Sequence, residues 1–315
     1  MYKQNHLLGI LLSCSGYTAW VIGDACVKIA GEKLSPLEIL PINLFISSLA
    51  MIAMASLHGG VGQLKTKRVG FHIWRSLFVL GAIYGSFAAI VNLTLADFYT
   101  IAFTSPLLVT LLGSLFLKES VDLGSWLAII FGFAGVLVAV QFSALTGHVF
   151  SMQGILAAVF AQFCFTLAML TARGAGSENN YSLSFWPQVI GCVISTAAVL
   201  IWGHIVIDTS AIAFAVLTGV MGAVGIVLTN ASLRIAPIAV VSPYHYTQIV
   251  GGAILGYLIW HHVPSAAVLL GATMIILSGL YILHAERARS RAKPQRQTLA
   301  ESLERMQVAP ESSIQ

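Results

Sequence analysis

Apolar runs long enough to cross a bilayer recur almost end to end in this 315-residue chain, separated by short polar gaps. A helix spans the hydrocarbon core, about 30 Å thick, with about 17–25 residues. The runs fall near 7–30, 36–58, 72–93, 97–117, 123–142, 151–173, 183–204, 211–231, 236–260 and 264–284, which predicts an all-α integral membrane protein with ten transmembrane helices. Turn and capping residues mark the breaks, among them Gly31 to Pro36, Gly59 to Arg68 and Asp208 to Ser210. Only 9% of the residues are charged while 57% are hydrophobic, against about 25% charged in a soluble domain. A water-soluble core cannot absorb that excess.

The net charge of +4 does not point to nucleic acid, because the cations sit in the gaps and in the C-terminal tail, where they read as topology signals. An even number of spans puts both termini on one side. With that side cytoplasmic, Lys3, Lys65, Lys67, Arg68, Lys118, Arg173, Arg234 and the tail cations fall inside, and only Lys28 and Lys33 outside. The positive-inside rule asks for that asymmetry. Cys14, Cys26, Cys164 and Cys192 each lie singly in an apolar segment, so neither a disulfide framework nor a zinc site is expected. One Lys precedes an apolar run longer than a signal-peptide core, without a clear cleavage site, and the reading is a retained first helix.

The chain also repeats itself. Gly81, Asn92 and Leu95 have counterparts at one constant offset in Gly219, Asn230 and Leu233. Each stretch leads into a helix carrying a proline, Pro106 or Pro243, at a similar depth. Five spans is an odd number, so the second copy enters the membrane upside down. Inverted repeats of this kind characterise secondary transporters, whose solute site lies at the repeat interface near the midplane.

The segment from Pro106 to Glu119, followed by Gly132 and Gly135, resembles the end of the EamA-type repeat of the drug/metabolite transporter superfamily. Ser242 to Gln248, followed by Gly256, Gly271, Ser278 and Gly279, resembles the second copy. The resemblance implies two inverted five-helix repeats, 1–145 and 146–285, followed by a basic tail, 286–315, expected to be disordered. It further implies a multi-pass carrier of a bacterial inner (plasma) membrane that works by alternating access, with a site built from the first, third, fourth, sixth, eighth and ninth spans. Where that family has Gly-Glu at the end of the ninth span, this chain has His261 and His262. A role for that Glu is therefore supported only at Glu119.

Candidate site residues come from polar groups at membrane depth. Ser13, Tyr17, Trp20, Asp24 and Lys28 share one stripe of the first helix. An intramembrane ionisable group such as Asp24 faces a cavity or a partner, and a local Asp24–Lys28 pair is the competing structural reading. Tyr244, His245, Tyr246, Thr247 and Gln248 follow Pro243 directly. Pro106 and Pro243 are expected to kink their helices by removing a backbone donor. Paired interruptions of this sort point to a transport site. His245 offers a proton site, since imidazole changes charge near neutral pH, so proton coupling is an open expectation.

Tyr17, Trp20, Tyr84, Phe103 and Tyr244 are expected to form apolar and aromatic walls, with Asp24, His245 and Gln248 orienting polar groups and Gln162 lining the path. Arg75 and Arg173, near span ends, are expected to snorkel to the interface. Such walls suit an amino acid or a similar amphipathic metabolite, with export the first expectation and uptake of a vitamin, nucleoside-like cofactor or organic cation the alternative. Phosphate loops and metal motifs are absent from the sequence, so no cofactor and no metal are expected. An integral-membrane enzyme would need paired catalytic groups, and a channel would need a continuous polar lining. Neither pattern is visible.

Overall fold

The computed structural model describes residues 6–57, 59–116, 121–145, 151–173, 175–176, 178–203, 207–236, 238–285 and 288. Among these, every regular element is a helix. The helices are α1 (His6–Ala30), α2 (Pro36–Leu57), α3 (Val69–Asn92), α4 (Leu95–Ala102), α5 (Ser105–Phe116), α6 (Leu123–Leu145), α7 (Met152–Arg173), α8 (Asn180–Trp202) and α9 (Thr209–Ile235). After them come α10 (Ile238–Val241), a 3-10 turn (Ser242–Tyr246), α11 (Thr247–Trp260) and α12 (Ala266–Ala285). Among the described residues, eight helices are long and apolar enough to cross a membrane, counting Leu95–Phe116 as one, and Leu123–Ala139 forms a shorter apolar helix.

Two expected continuous spans are instead broken. The stretch 97–117 divides into α4 and α5, and the stretch 236–260 into α10, the 3-10 turn and α11. Glu119 and the tail lie outside the described residues, apart from Ala288.

Small residues decide which helices meet. Gly9, Gly16 and Gly23 recur every seven residues along α1, and a Cβ at Gly9 would run into Ala236, which caps α9, and one at Gly16 into Thr229 of α9. A seven-residue period keeps one helical face in register. In the same way Gly81 and Gly85 of α3 lie against Cys164, Ala157 and Ala161 of α7. Without a hydrophobic drive between helices in lipid, close backbone approach of this kind supplies much of the packing energy. Among α1 to α11 the best-packed pairs are accordingly α1 with α9 and α3 with α7, followed by α2 with α8.

Ties among loop groups fix the end at which α3 and α8 begin. Arg68 donates to the Ala175 carbonyl (2.9 Å), Trp186 Nε1 to the Leu64 carbonyl (2.9 Å), and fully buried His72 pairs with Glu178 at 3.1 Å. Thr66 and Ser182 donate to the same carboxylate. These bonds, the His72 contact first, hold the Glu178 carboxyl below its usual range.

Candidate functional site

Between the broken helices lies a cavity of about 580 Å³, within the range of small-molecule sites. Its wall is mostly apolar, with Trp20, Asp24, Arg75, Phe103, Gln162, His245 and Gln248 among the lining residues. Ala168 and Met169 late in α7 and Leu183, Ser184, Pro187 and Gln188 early in α8 carry the cavity toward one end of the bundle. The ties between Arg68 and Ala175 and between Trp186 and Leu64 mark that same end.

The two helix breaks are built differently. Pro106 cannot donate to the Ala102 carbonyl one turn earlier, and Ser105 Oγ takes its place at 2.6 Å. Thr104 turns its hydroxyl onto the Ile101 carbonyl (2.7 Å), which closes α4. The second break is a 3-10 turn entered at Pro243. Residues three apart eclipse in a 3-10 helix, whereas residues four apart align in an α-helix. The pair turned into the cavity is therefore His245 and Gln248.

His245 sits among aromatic rings. Tyr17 stacks on it with centroids 4.7 Å apart, Phe103 meets it edge-on at 4.8 Å, and Tyr246 lies against Phe103 at 5.0 Å. Trp20 Nε1 donates to the Gly222 carbonyl (3.2 Å), and a Cβ at Gly225 would strike the same indole. Such rings offer flat apolar faces with a polar edge, suited to an amphipathic ligand.

Asp24 does not pair with Lys28. The Tyr99 hydroxyl donates to Asp24 Oδ2 at 2.5 Å. Lys28 Nζ donates to the carbonyls of Ile90 (3.1 Å) and Leu93 (2.6 Å) and lies 5.7 Å from the Trp260 ring centre. The physical reason is supply: α3 ends there with carbonyls lacking intrahelical donors, and an ammonium carries three donors to satisfy them. The local pair anticipated from the i, i+4 spacing is thus corrected to two separate interactions. Lys28 also lines a second, smaller cavity of about 180 Å³, with Asn92, Asp97 and His262.

Of the nine residues expected to bind solute, Trp20, Asp24, Phe103, Gln162, His245 and Gln248 line the large cavity. Tyr17 stands behind His245. Tyr84, 40% exposed, and Tyr244 are not among the residues that line this cavity. For Tyr244 the cause is the 3-10 geometry. Pro106 and Pro243 sit at the two breaks as expected. Asn230 lines the cavity, whereas Asn92 bonds to the Ala88 carbonyl of its own helix.

Sequence reasoning missed two residues. Tyr99, buried in the core, carries the hydroxyl that holds Asp24. Arg75 faces the cavity rather than the interface and donates to the Leu183 carbonyl at 2.7 Å. A signal for this existed in Pro187, which withdraws the donor that Leu183 would otherwise meet within α8. Among the described residues no cluster of three or more His, Cys, Asp or Glu side chains could hold a metal ion.

A sequence profile of the EamA-like transporter family matches this chain twice, over residues 7–141 and 152–284. The chain belongs to that family. It is a member of the drug/metabolite transporter superfamily and a multi-pass membrane protein, a transporter of small molecules rather than an enzyme. It is 26% identical over 269 residues to the S-adenosylmethionine uptake transporter of Rickettsia bellii, covering 84% of this chain and 89% of that one. It is 27% identical over 276 residues to the pseudopaline exporter CntI of Pseudomonas aeruginosa, covering 86% and 94%. A solved crystal structure that shares 17% of its residues superposes with a TM-score of 0.62, covering 90% of this chain and 98% of its own, and has the same fold.

Proposed function

We propose that this EamA-family chain is a secondary carrier that exports a small amphipathic metabolite, an amino acid or a close analogue, by alternating access between two inverted five-helix halves, 1–145 and 146–285. The observation that carries the reading is one large cavity shared by both helix breaks, with Asp24, His245 and Gln248 on its wall. An inverted repeat exchanges α1 with α7 and α3 with α9. Under that exchange the α1–α9 pair becomes the α7–α3 pair, and these are the two best-packed pairs among α1 to α11. Gly135 of α6 and Gly271 of α12, each packed against the other's carbonyl, fit the same pseudo-symmetry. The two family matches, one per half, support it too.

The positive-inside distribution supports cytoplasmic termini in a bacterial inner membrane. In that orientation the cavity extends to the cytoplasmic side, and Lys28, Trp260 and the Asp24–Tyr99 bond close the outer side. Movement of a proton through His245 or Asp24 is the coupling this site suits best. Uptake of a nucleoside-like cofactor is the alternative, favoured by the likeness to an uptake transporter. Purified protein in liposomes is expected to show saturable counterflow of amino acids. Flux that rises linearly with concentration and shows no counterflow would mark a pore and defeat the carrier reading.

A further inference from the structure

Arg75 is a cation on the cavity wall that has no anionic partner among the described residues. Its Nη1 donates to the neutral Leu183 carbonyl, while Nε is buried and meets no acceptor. No hydrogen bond reaches Nη2 among the described residues, and the His72–Glu178 contact is the ion pair found there. Asp24, the carboxylate on the same cavity wall, is taken by Tyr99. One turn beyond Leu183, the amide oxygen of Gln188 is likewise buried, with no donor among the described residues.

Leaving a buried polar group unpaired is costly, and more so for a charged one. A guanidinium forms two parallel bonds with a carboxylate, and that fork suits Nε and Nη2, neither of which has an acceptor among the described residues. The Leu183 carbonyl, left without an intrahelical donor by Pro187, holds the guanidinium at the cavity wall through Nη1 and leaves the other two donors unspent. Gln188 lines the same cavity, and its amide oxygen is the acceptor for an ammonium group.

We propose that Arg75 is the solute's carboxylate-binding residue, and that the solutes carried are amphipathic zwitterions whose head group docks between Arg75 and Gln188, their apolar part reaching toward Trp20 and Phe103. This rests on the carrier reading and narrows it to a substrate class.

The test uses the full chain in detergent, with thermal stability read at millimolar L-phenylalanine, 3-phenylpropanoate and phenethylamine. These probes share one ring and differ only in head group. Both carboxylates are expected to raise the melting temperature, L-phenylalanine the more, and phenethylamine to raise it least. Arg75→Gln is expected to weaken both carboxylates about tenfold or more, the loss of a charge-assisted bond, and to leave phenethylamine unchanged. Arg75→Lys keeps the charge and can still reach the Leu183 carbonyl, so it provides a folded variant in which the fork alone is lost. It is expected to fall between the two.

The proposal is overturned if neither carboxylate stabilises the wild type, if phenethylamine or chloride does so equally well, or if Arg75→Gln responds like the wild type. Saturable counterflow of amines with no acid group, unaffected by Arg75→Gln, would overturn it while leaving the carrier reading intact. Absence of saturable flux for every solute would instead defeat the carrier reading.

Discussion

The Tyr99 hydroxyl and the Asp24 carboxylate, 75 positions apart in the chain, are joined by a 2.5 Å hydrogen bond. The bond ties α1 to α4 at the wall of the cavity. Tyr99→Phe removes the donor and keeps the ring, so the cost is that of an acceptor left short of a partner, about 1–2 kcal/mol. The melting temperature in detergent is expected to fall accordingly. An unchanged value would mean that water replaces the hydroxyl without loss.

Lys28 answers to different partners, the carbonyls of Ile90 and Leu93. Replacing Lys28 by Met should therefore destabilise the C-terminal end of α1 on its own account. In Asp24→Asn/Lys28→Met the two losses are expected to add, with a coupling below about 0.5 kcal/mol. Rescue of Asp24→Asn by the second change would restore the local ion pair as the correct description.

The contrast between these two residues shows what the sequence could and could not disclose. Helical periodicity put Tyr17, Trp20, Asp24 and Lys28 on one face of α1, and Tyr17 stacks on His245 as a stripe facing inward would. Length and hydropathy made the helical membrane fold legible, and the prolines marked both breaks. Partners from distant segments were not legible, because Tyr99 looks like any aromatic core residue until α4 is packed against α1. Arg75 was misread for a related reason. A cation near a span end ordinarily snorkels, and only the carbonyl freed by Pro187 turns this one inward. Tyr244 failed because an α-helical period was applied where the backbone is 3-10.

Glu178 lies outside the spans and is held below its usual range by His72 first, then by Thr66 and Ser182. A depressed folded value means that the contribution to stability is complete above the ordinary carboxylate range, about pH 4.3. It is lost as pH falls through the folded value. Melting temperatures of the wild type should thus drop on acidification in that window. Glu178→Gln should be less stable near neutrality and should lose part of the acid dependence. Parallel curves for the two proteins would show that the carboxylate is not linked to folding.

His261 ends α11 in a left-handed conformation (φ 54°), its N–H reaching the Tyr257 carbonyl and that of His262 the Gly256 carbonyl. A side chain in that region costs about 1–2 kcal/mol, a cost glycine does not carry. His261→Gly should therefore raise stability, by up to about 1 kcal/mol once the greater freedom of the unfolded chain is counted. A lower melting temperature would show that the imidazole, packed near Tyr257 with centroids 6.2 Å apart, contributes more than the backbone strain.

The 3-10 turn makes the sharpest claim about the site, because it decides which side chains meet the cavity. In an α-helix Tyr244 and Gln248 would share a face. In the observed backbone His245 and Gln248 do, and Tyr246 turns away to pack on Phe103, its hydroxyl buried without a partner. Single Cys replacements at 244, 245, 246 and 248, in a background lacking the four native Cys, can be labelled with a water-soluble thiol reagent. Positions 245 and 248 are expected to react and 244 and 246 to resist, since lipid and packed rings admit no charged reagent. Tyr246→Phe should be neutral or stabilising by up to about 1 kcal/mol, because it deletes a group whose burial is uncompensated. Reactivity at 244 equal to that at 248, with 245 silent, would mean that the segment is α-helical, and the His245–Gln248 wall would have to be abandoned.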